Sequence, residues 1–431
     1  MQYFSTNRRS PCVTFREATL KGQPDDRGLY FPAEIPQFSA EFIEGLRGRS
    51  NSDIAFEVMR PYAEASIPDK ELYEICAETV NFAFPLVEIS GRISVLELFH
   101  GPTLAFKDVG ARFMSRCLRY FSHQASTKTI VVVATSGDTG GAVAAGFHNV
   151  DNVEVVILYP SGKVSAIQEL QLTTLGGNVT ALEVAGVFDD CQALAKTALA
   201  DTDLQSRVQL NSANSINIAR WLPQQIYYFY ALKQWPYSDP PVFSVPSGNF
   251  GNLASGVLAQ AAGLPVNKFI AACNANDVVP RYLQSGAFEP KRTVETLSNA
   301  MDVGDPSNFV RILEILGNDR TTVLKNLGAV SVSDETTFET IHEVYNQYGY
   351  ILDPHGAVGY RALVDHLDRC RDQRGIFLET AHPIKFDSVV RILGVPPEQP
   401  DLVRDLYSRK KESIKIKPDY SMVKEVLMSK I

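Results

Sequence analysis

Short apolar runs rich in β-branched residues recur along the chain, and most of them end at glycine or polar turns. A continuous apolar run of this length is typical of a strand that is buried on both faces of a parallel sheet. The runs that fit are residues 129–134, 153–158, 179–184, 241–245, 268–273 and 375–378. Helical stretches at 142–147 and 164–175 separate the first three runs, and strands that alternate with helices predict parallel α/β sheets.

The order of these runs predicts two α/β domains and an accessory domain. A polar segment near residue 211 separates the first three strands from the last three, so each group is expected to form its own sheet. Residues 1–95 contain short helical stretches broken by prolines, which predict a mostly helical N-terminal accessory domain. The expected small domain is 129–210, and the expected large domain combines 96–128 with 211–431.

Composition and charge narrow the classes of function. The chain has 431 residues, of which 45% are hydrophobic and 21% charged, as expected for a protein of two or three globular domains. No apolar run approaches the ~20 residues that cross a bilayer, so no membrane partner is expected. Residues 1–9 lack the apolar core of a secretory signal, which predicts a cytoplasmic location. The net charge of -8 argues against nucleic acid as the main partner.

Motifs for several other chemistries are missing from the sequence. The six cysteines are widely scattered, without a close pair typical of zinc or a redox dithiol, so no metal is expected. The sequence also lacks the helix motif of zinc proteases, the nucleophile turn of serine hydrolases and the P-loop. The lysine-rich tail, residues 409–417, is expected to be a solvated surface segment.

One lysine stands between apolar neighbours. Lys107 follows a strand-like stretch and a turn in residues 98–108, which read Leu-Phe-His-Gly-Pro-Thr-Leu-Ala-Phe-Lys-Asp. Partial burial lowers the pKa of a lysine amine and makes it available as a nucleophile. The alternative is a structural lysine that pairs with Asp108, and this would be preferred for an isolated lysine. The other motifs of the sequence favour a nucleophilic lysine over a structural one.

Two glycine-containing loops each lie between a predicted strand and a predicted helix. Glycine lets backbone N–H groups point at one position, and the N-terminus of a helix adds positive potential there. The loop 246–252 therefore predicts a phosphate site, with a simple tight connection as the alternative. The loop 134–141 predicts a carboxylate site, with N-capping by Ser136 or Asp138 as the alternative.

Two further segments carry polar groups towards the same region. Residues 211–220 are dense in hydrogen-bond donors and end at Arg220, which suits a second phosphate. The alternative, a polar loop before an exposed helix, is weakened by the apolar residues Ile216 and Trp221. After the strand 375–378, Thr380 presents a hydroxyl that can meet a pyridine nitrogen, with a turn hydroxyl as the alternative.

These motifs together resemble the threonine synthase family. The resemblance rests on Phe-His-Gly-Pro-Thr-Leu-Ala-Phe-Lys-Asp at 99–108, Ser-Gly-Asp-Thr-Gly at 136–140 and Ser-Gly-Asn-Phe-Gly-Asn at 247–252. It covers nearly the whole chain, because shorter matches add residues 26–32, 211–220, 297–302 and 380–383. Several long motifs in one order are highly specific to a family.

The resemblance implies a fold and a cofactor. The expected fold is α/β of the tryptophan-synthase-β type, pyridoxal-phosphate fold type II, with the cofactor between two parallel-sheet α/β domains. Pyridoxal 5'-phosphate is the implied cofactor, bound mainly by the large domain. Lys107 is expected to carry it covalently, and Thr380 to bond its pyridine nitrogen. The residues expected to hold its phosphate are Gly248, Asn249, Phe250, Gly251 and Asn252.

The resemblance also implies a reaction. The implied substrate, O-phosphohomoserine, is converted with water into L-threonine and phosphate by γ-elimination and β-addition of water. Ser136 to Thr139 are expected to take the α-carboxylate, and the candidates for the substrate phosphate are Lys163, Asn214 and Arg220. The residues expected to bind the substrate are thus Ser136, Gly137, Thr139, Lys163, Asn214 and Arg220.

Asp138 departs from the pattern of many relatives with this fold, which have an asparagine that bonds the phenolic oxygen of the cofactor. Two adjacent negative oxygens repel each other. If Asp138 contacts the cofactor, it is therefore expected to be protonated, turned elsewhere or paired with a cation.

The sequence leaves two rival functions open. A phospholyase on the same scaffold would release a 2-oxo acid and ammonia, since fold and cofactor do not fix the fate of the intermediate. A catalytically silent amino-acid-binding module would keep the glycine loops but would have no use for Lys107. The expected partner is the small-molecule substrate, and the expected state is a monomer, with a dimer as the alternative.

Overall fold

The computed structural model describes residues 1–122 and 128–431, so residues 123–127 of the expected segment 96–128 lie outside it. The strands are β1 (Gln2–Ser5), β2 (Val13–Thr14), β3 (Tyr30–Pro32), β4 (Leu86–Ser90), β5 (Ile93–Glu97), β6 (Thr129–Ala134), β7 (Val153–Pro160), β8 (Val179–Val184), β9 (Gln209–Ser212), β10 (Val242–Pro246), β11 (Lys268–Cys273), β12 (Leu327–Ser331), β13 (Gly375–Glu379) and β14 (Ile414–Ile416). The α-helices are α1 (Phe15–Lys21), α2 (Ala40–Glu44), α3 (Asn51–Ala63), α4 (Asp69–Thr79), α5 (Lys107–Ser122), α6 (Asp138–Phe147), α7 (Ala166–Thr173), α8 (Phe188–Ala200), α9 (Thr202–Gln205), α10 (Ile218–Trp221), α11 (Ile226–Gln234), α12 (Gly251–Ala261), α13 (Val278–Ser285), α14 (Phe309–Ile315), α15 (Arg320–Asn326), α16 (Asp334–Tyr348), α17 (Pro354–Leu367), α18 (Asp387–Leu393), α19 (Asp401–Ser408) and α20 (Tyr420–Met428). Within the described ranges, no helix is both long and apolar enough to cross a membrane.

The smaller of the two α/β sheets has five parallel strands in the order β14-β8-β7-β6-β9. Every residue of β6 is buried, because helices cover both faces of a parallel sheet. Two features differ from the expected division of the chain. The last strand of this sheet, β9, continues to Ser212, and the tail contributes β14 to the opposite edge through Ile416, which is only 4% exposed. The tail is therefore partly a structural strand, because its apolar residue completes the sheet.

The larger sheet has six strands in the order β12-β11-β10-β13-β5-β4. All neighbouring pairs are parallel except β4 and β5, which form an antiparallel edge. The strands predicted at 241–245, 268–273 and 375–378 correspond to β10, β11 and β13. Residues 86–97 form β4 and β5 of this sheet, whereas the expected boundary at residue 95 divides β5. The alternation of apolar and polar residues in these two strands is too short to identify them by pattern alone.

The N-terminal segment combines helices with a small antiparallel sheet of order β2-β1-β3. Helix α3 begins at Asn51 because Ser50 and Asp53 form a capping box. The segment is tied to the remainder of the chain through buried tyrosines: Tyr3 donates to the carbonyl of Tyr62, and Tyr62 donates to Gln225 at 3.2 Å. The accessory segment therefore packs on the α/β core as part of one folded unit.

Loops at the carboxyl ends of the strands meet between the two sheets. The loop after β13 accepts a hydrogen bond at the Thr380 carbonyl from Phe106 in the loop after β5, at 2.9 Å. The loop after β9 meets the loop after β10, where the Asn249 amide donates to Ser215 at 3.0 Å. Loops that follow parallel strands share one edge of a sheet, and ligands bind there. The motifs found in the sequence are thus brought together by topology.

A buried arginine, Arg311, forms hydrogen bonds with the loop after β9 and with the N-terminal segment. Arg311 in α14 is 0% exposed and donates hydrogen bonds to the carbonyls of Ser215, Ile216 and Tyr30, and to the side chain of Asn308 at 2.6 Å. Burial lowers the pKa of Arg311 to about 9, so it keeps its charge at neutral pH. The acceptors are buried or partly buried, and each would lose this partner if Arg311 were removed. Arg311 therefore joins the N-terminal segment to the loop after β9.

We expect Arg311→Met to destabilise the protein, because it leaves several buried oxygen atoms without a donor. The expected loss in unfolding free energy is about 3 kcal/mol or more, since each unsatisfied buried group costs roughly 1–3 kcal/mol. Urea unfolding measures it. The control, Arg8→Met, removes the surface ion pair of Arg8 with Glu314 and should cost less than about 1 kcal/mol. Equal losses in the two variants would contradict the role of Arg311.

Candidate active site

Lys107 is the first residue of α5 and follows a turn that is fixed on both sides. The turn lies against the loop after β13, because the His382 amide donates to the Leu104 carbonyl at 3.0 Å and Ala105 bridges to Ala381. Tyr227 donates from its hydroxyl to the Phe106 carbonyl. Lys107 and the loop that contains Thr380 are therefore held side by side.

The amine of Lys107 lies in a partly desolvated and charged environment. Its side chain is 17% exposed, and its Nζ lies 3.7 Å from an oxygen of Asp138. Burial lowers the pKa of Lys107, the carboxylate of Asp138 raises it, and the positive charges of Lys385 and Arg220 lower it further; the net shift is downward. A larger fraction of the amine is therefore unprotonated at neutral pH than in an exposed lysine. The lowered pKa expected for a partly buried lysine is present, and the role of Lys107 as a nucleophile stays a prediction.

Asp138 is buried between cations. Its Oδ1 accepts hydrogen bonds from Lys385 at 2.7 Å and from Gln168 at 3.0 Å. Burial raises the pKa of Asp138, but the charges of Lys385 and Lys107 and the hydrogen bonds from Lys385 and Gln168 lower it well below its usual range. Of the three arrangements considered for Asp138, the structure has the one in which the carboxylate is paired with a cation.

Lys385 was not identified from the sequence. It is 0% exposed and lies in a short 3-10 turn, Pro383–Lys385, directly after the motif at 380–383. A signal was present, because a single lysine between Ile384 and Phe386 is an unusual position for a charge. Its partner, Asp138, lies almost 250 positions earlier in the chain, so only the folded structure shows that the two residues are in contact.

The residue that precedes α6, Gly137, has no side chain that could cap the helix. Helix α6 begins after Gly137, which has φ 134°, and neither Ser136 nor Asp138 caps it. Instead the Thr135 hydroxyl accepts hydrogen bonds from the amides of Gly137 at 2.9 Å and Gly140 at 2.8 Å. Ser136 and Thr139 are half-buried. The capping alternative to a carboxylate site is therefore wrong for Ser136 and Asp138.

The loop before α12 leaves backbone donors unused. Within the described residues, the amides of Gly248, Asn249 and Phe250 donate to no protein acceptor. Phe250 has φ 63°, which turns the chain at the start of the helix. A Cβ at Gly248 would lie 2.5 Å from the backbone of Met301, so only glycine fits there. The result is a narrow cradle of neutral N–H donors at a helix N-terminus.

The side chains of this loop have structural partners. Asn249 donates to Ser215, and Asn252 donates to the Pro246 carbonyl at 2.8 Å. The Asn249 carbonyl accepts from Asn308 at 3.0 Å. Asn249 and Asn252 therefore fix the shape of the loop, and the groups free to meet an anion are backbone amides.

Arg220 lies in the interior and has an unused donor. It is 3% exposed and donates to the Ala213 carbonyl, but its Nε has no hydrogen-bond partner among the described residues. Burial lowers the pKa of Arg220 to about 10, so it stays charged at neutral pH. The Asn214 side-chain oxygen is likewise buried without a described partner. Lys163 differs, because its side chain is 54% exposed and its Nζ lies 3.9 Å from Glu295.

Thr380 and His382 occupy different environments. Thr380 is 6% exposed, and its hydroxyl makes no hydrogen bond within the part of the chain that the structure describes. His382 accepts at Nδ1 from the Ile384 amide at 3.2 Å and so caps the short 3-10 turn. Burial lowers the pKa of His382 to about 4, which keeps it neutral. Thr380 thus offers a free hydroxyl, while His382 is structural.

We call the region where these loops meet between the two sheets the cleft, and its residues define the chemistry that it can perform. A partly desolvated amine can act as a nucleophile and a base, and besides the start of α6 two further groups of donors can bind anions. One group is neutral, at Gly248–Asn252, and the other carries the charge of Arg220. Among the described residues, no cluster of three or more His, Cys, Asp or Glu side chains is arranged to hold a metal ion.

Three family models match the chain. One described as pyridoxal-phosphate dependent enzyme matches residues 92–380. One described as threonine synthase N terminus matches residues 2–80, and one described as threonine synthase, C-terminal, matches residues 356–427.

Curated relatives and solved structures are similar over nearly the full length. Threonine synthase of Serratia marcescens is 45% identical over 397 residues, 91% of each chain. That of Escherichia coli (strain K12) is 45% identical over 413 residues, 95% of this chain and 94% of the relative. The crystal structure of threonine synthase from Escherichia coli matches with a TM-score of 0.93 and 42% identity over 100% of both chains. PLP-bound threonine synthase from Brucella melitensis matches with a TM-score of 0.91 and 36% identity over 100% of this chain and 99% of that one. The chain therefore belongs to the threonine synthase family of pyridoxal-phosphate dependent enzymes.

Proposed function

We propose that this chain forms L-threonine and phosphate from O-phosphohomoserine and water, with Lys107 as the lysine that carries pyridoxal phosphate. The observation that supports this most directly is a partly desolvated lysine amine beside Asp138 and the Thr380 loop, with the charge of Arg220 near it. Incubation with O-phosphohomoserine tests the proposal. Threonine and phosphate in equal amounts are expected; a 2-oxo acid with ammonia would indicate the phospholyase, and no turnover the binding module.

The residues present fit the cofactor. A phosphate ester needs several donors at one point, and the free amides of Gly248, Asn249 and Phe250 at the start of α12 supply them. The N-terminal amides of Gly251 and Asn252 have no acceptor within their own helix turn. An unprotonated pyridine nitrogen needs one neutral donor, and the Thr380 hydroxyl is free to provide it. Lys107 supplies the amine.

The proposed mechanism divides the chemistry between cofactor and protein. When bound, pyridoxal phosphate acts as an electron sink for charge that develops beside the substrate amine. Lys107, displaced by that amine, acts as the base that removes the Cα proton and then the Cβ proton. After phosphate leaves from Cγ, a proton is delivered to Cγ, which becomes the methyl group of threonine; water then adds its OH at Cβ and gives up a proton, and Lys107 returns a proton to Cα. Its lowered pKa suits both directions of transfer.

The substrate is held at both ends in this proposal. The start of α6 binds the α-carboxylate through the hydroxyls of Ser136 and Thr139 and the backbone amide of Thr139, and Gly137, whose amide donates to Thr135, shapes the turn. Arg220 binds the substrate phosphate, and Asn214 helps to orient it, because both have buried polar atoms without described partners. Lys163 is a weaker candidate, since its exposed amine faces Glu295. It can reach a phosphate only by leaving that carboxylate.

The expected monomer, with a dimer as the alternative, and the cytoplasmic location stay predictions from the sequence. The small-molecule substrate is consistent with a cleft lined by single side chains and backbone amides.

We expect Lys107→Ala to abolish turnover and the covalent attachment of pyridoxal phosphate, because the neighbouring amine of Lys385 is held by Asp138 and the Thr103 carbonyl. Borohydride reduction followed by peptide mass spectrometry measures the attachment. The control Lys128→Ala removes an exposed lysine beside Glu154 and should keep both properties. Retained cofactor in the reduced Lys107→Ala protein would contradict the assignment.

We expect Thr380→Val to weaken cofactor binding and slow the reaction, since valine has the same shape but no hydroxyl. Loss of one neutral hydrogen bond costs about 0.5–1.5 kcal/mol, which corresponds to roughly a two- to tenfold effect. The matched control is Thr380→Ser, which keeps the hydroxyl and should retain most of the activity. If the affinity, the absorption spectrum and the rate of Thr380→Val all equal those of the unmodified protein, Thr380 is only a turn residue.

We expect Arg220→Lys to impair catalysis while cofactor occupancy survives, because lysine keeps the charge but loses the planar pair of donors. A charged hydrogen bond is worth ~1.5–3 kcal/mol, so catalytic efficiency should fall roughly ten- to a hundredfold. Inhibition by phosphate-bearing substrate analogues should weaken in parallel.

A control for the Arg220 variant is Arg47→Lys, which alters an arginine bound to the Trp235 carbonyl and should leave catalysis unchanged. Loss of pyridoxal phosphate in Arg220→Lys, with unchanged affinity for phosphorylated analogues, would mean that the two anion sites are exchanged. An unchanged enzyme would remove Arg220 from the active site.

A further inference from the structure

Two lysines flank one buried carboxylate in the cleft. Lys385 lies 2.7 Å from Oδ1 of Asp138, and Lys107 lies 3.7 Å from its Oδ2. The three groups come from three separate segments: the start of α5, the start of α6 and the 3-10 turn after β13. Asp138 can pair with either lysine, because both are close enough to serve as its cation.

Lys385 is fixed in its place, whereas Lys107 has more freedom. Lys385 is 0% exposed and donates a second hydrogen bond to the Thr103 carbonyl at 2.8 Å. Gln171 donates to the same carbonyl at 3.0 Å. The side chain of Lys107 is 17% exposed, and its contact with Asp138 is longer. The geometry thus gives the closer ion pair to Lys385.

A glutamine side chain also binds Asp138, at the same oxygen that Lys385 contacts. Gln168 in α7 donates to Oδ1 at 3.0 Å, and its own Oε1 accepts from the Ser165 amide at 3.1 Å. A Cβ at Gly137 would lie 2.4 Å from the Gln168 side chain, so glycine is required for this approach. Oδ1 is therefore saturated by Lys385 and Gln168, and Oδ2 alone faces Lys107.

The arrangement matters because a buried carboxylate needs a counter-ion. An opposite charge within about 4–6 Å stabilises the charged form of a lysine and holds its proton. If Lys107 were the sole cation beside Asp138, its amine would be kept protonated and could neither attack a carbonyl carbon nor accept a proton. Lys385 provides a second cation, which already contacts Oδ1 of Asp138.

We propose that Lys385 is a positioning residue that serves as the counter-ion of Asp138 and so leaves Lys107 free to lose its proton. The inference rests on the proposed role of Lys107. The other charged groups around Lys107 act in the same sense or are already occupied: Arg220 is positive, and Asp108 accepts two hydrogen bonds from Thr103.

The test measures the titration of the Lys107 amine in the full-length chain after removal of cofactor. Formaldehyde condenses with the unprotonated amine and loses water, and cyanoborohydride adds a hydride, so the methylation rate follows the unprotonated fraction. Mass spectrometry of the peptide that contains Lys107 gives the rate at each pH. The pH dependence of kcat/KM in the holoenzyme provides a second profile, which a purely structural role would not shift.

Lys385→Met is expected to move both profiles upward by about 1–3 pH units, because Asp138 is then paired by Lys107 alone. Asp138→Asn is expected to move the amine titration downward, since the carboxylate that favours the charged amine is gone. The double variant removes one positive and one negative charge and should return towards the unmodified profile. If Lys385→Met does not fold, Asp138→Asn and the double variant still supply the comparison.

The control Lys424→Met removes another lysine that pairs with aspartates, Asp201 at 3.0 Å and Asp203 at 3.1 Å, on the C-terminal helix α20. It should leave both profiles in place. Unshifted profiles in Lys385→Met or Asp138→Asn would overturn the inference, even if thermal stability falls. That result differs from failure of the proposed function, in which Lys107→Ala would keep its covalently trapped cofactor.

Discussion

The cleft is organised around a carboxylate that cannot be left alone in the protein interior. Burying an unpaired charge is costly, so the position of Asp138 requires cations and donors from neighbouring elements. Lys385 and Gln168 meet one oxygen, and Lys107 faces the other. Asp138 begins α6 of the smaller sheet, and Lys385 follows β13 of the larger one, so this ion pair also joins the two sheets across the cleft.

The two phosphate sites of the proposed function use different kinds of hydrogen-bond donor. The cradle before α12 uses neutral amides, which bind a phosphate without adding a formal charge beside the lysine. The other site has the guanidinium of Arg220, which carries a full charge and lies near Lys107. A leaving phosphate gains negative charge during the reaction, so a cation is most useful there. The difference assigns the resident phosphate to the cradle and the departing one to Arg220 in the proposed function.

Residues that take no part in the proposed reaction hold the loops of these sites in position. Arg311 binds the backbone around Ser215, and Ser215 accepts from Asn249 in the cradle. The N-terminal segment joins the same network through the Tyr30 carbonyl. A displaced loop would therefore disturb both anion sites at once. The N-terminal segment thus helps to hold the loop that precedes Arg220.

The sequence by itself determined the α/β class, most of the central strands, the glycine loops and the lysine at position 107, because strand periodicity, turn chemistry and an apolar setting are local properties. It did not give β14 or Lys385, and it left the state of Asp138 among three alternatives. Only the tertiary structure decided these points. Strand pairing at a sheet edge and the neutralisation of a buried charge depend on residues hundreds of positions apart, and their energies arise from distances that no local pattern contains.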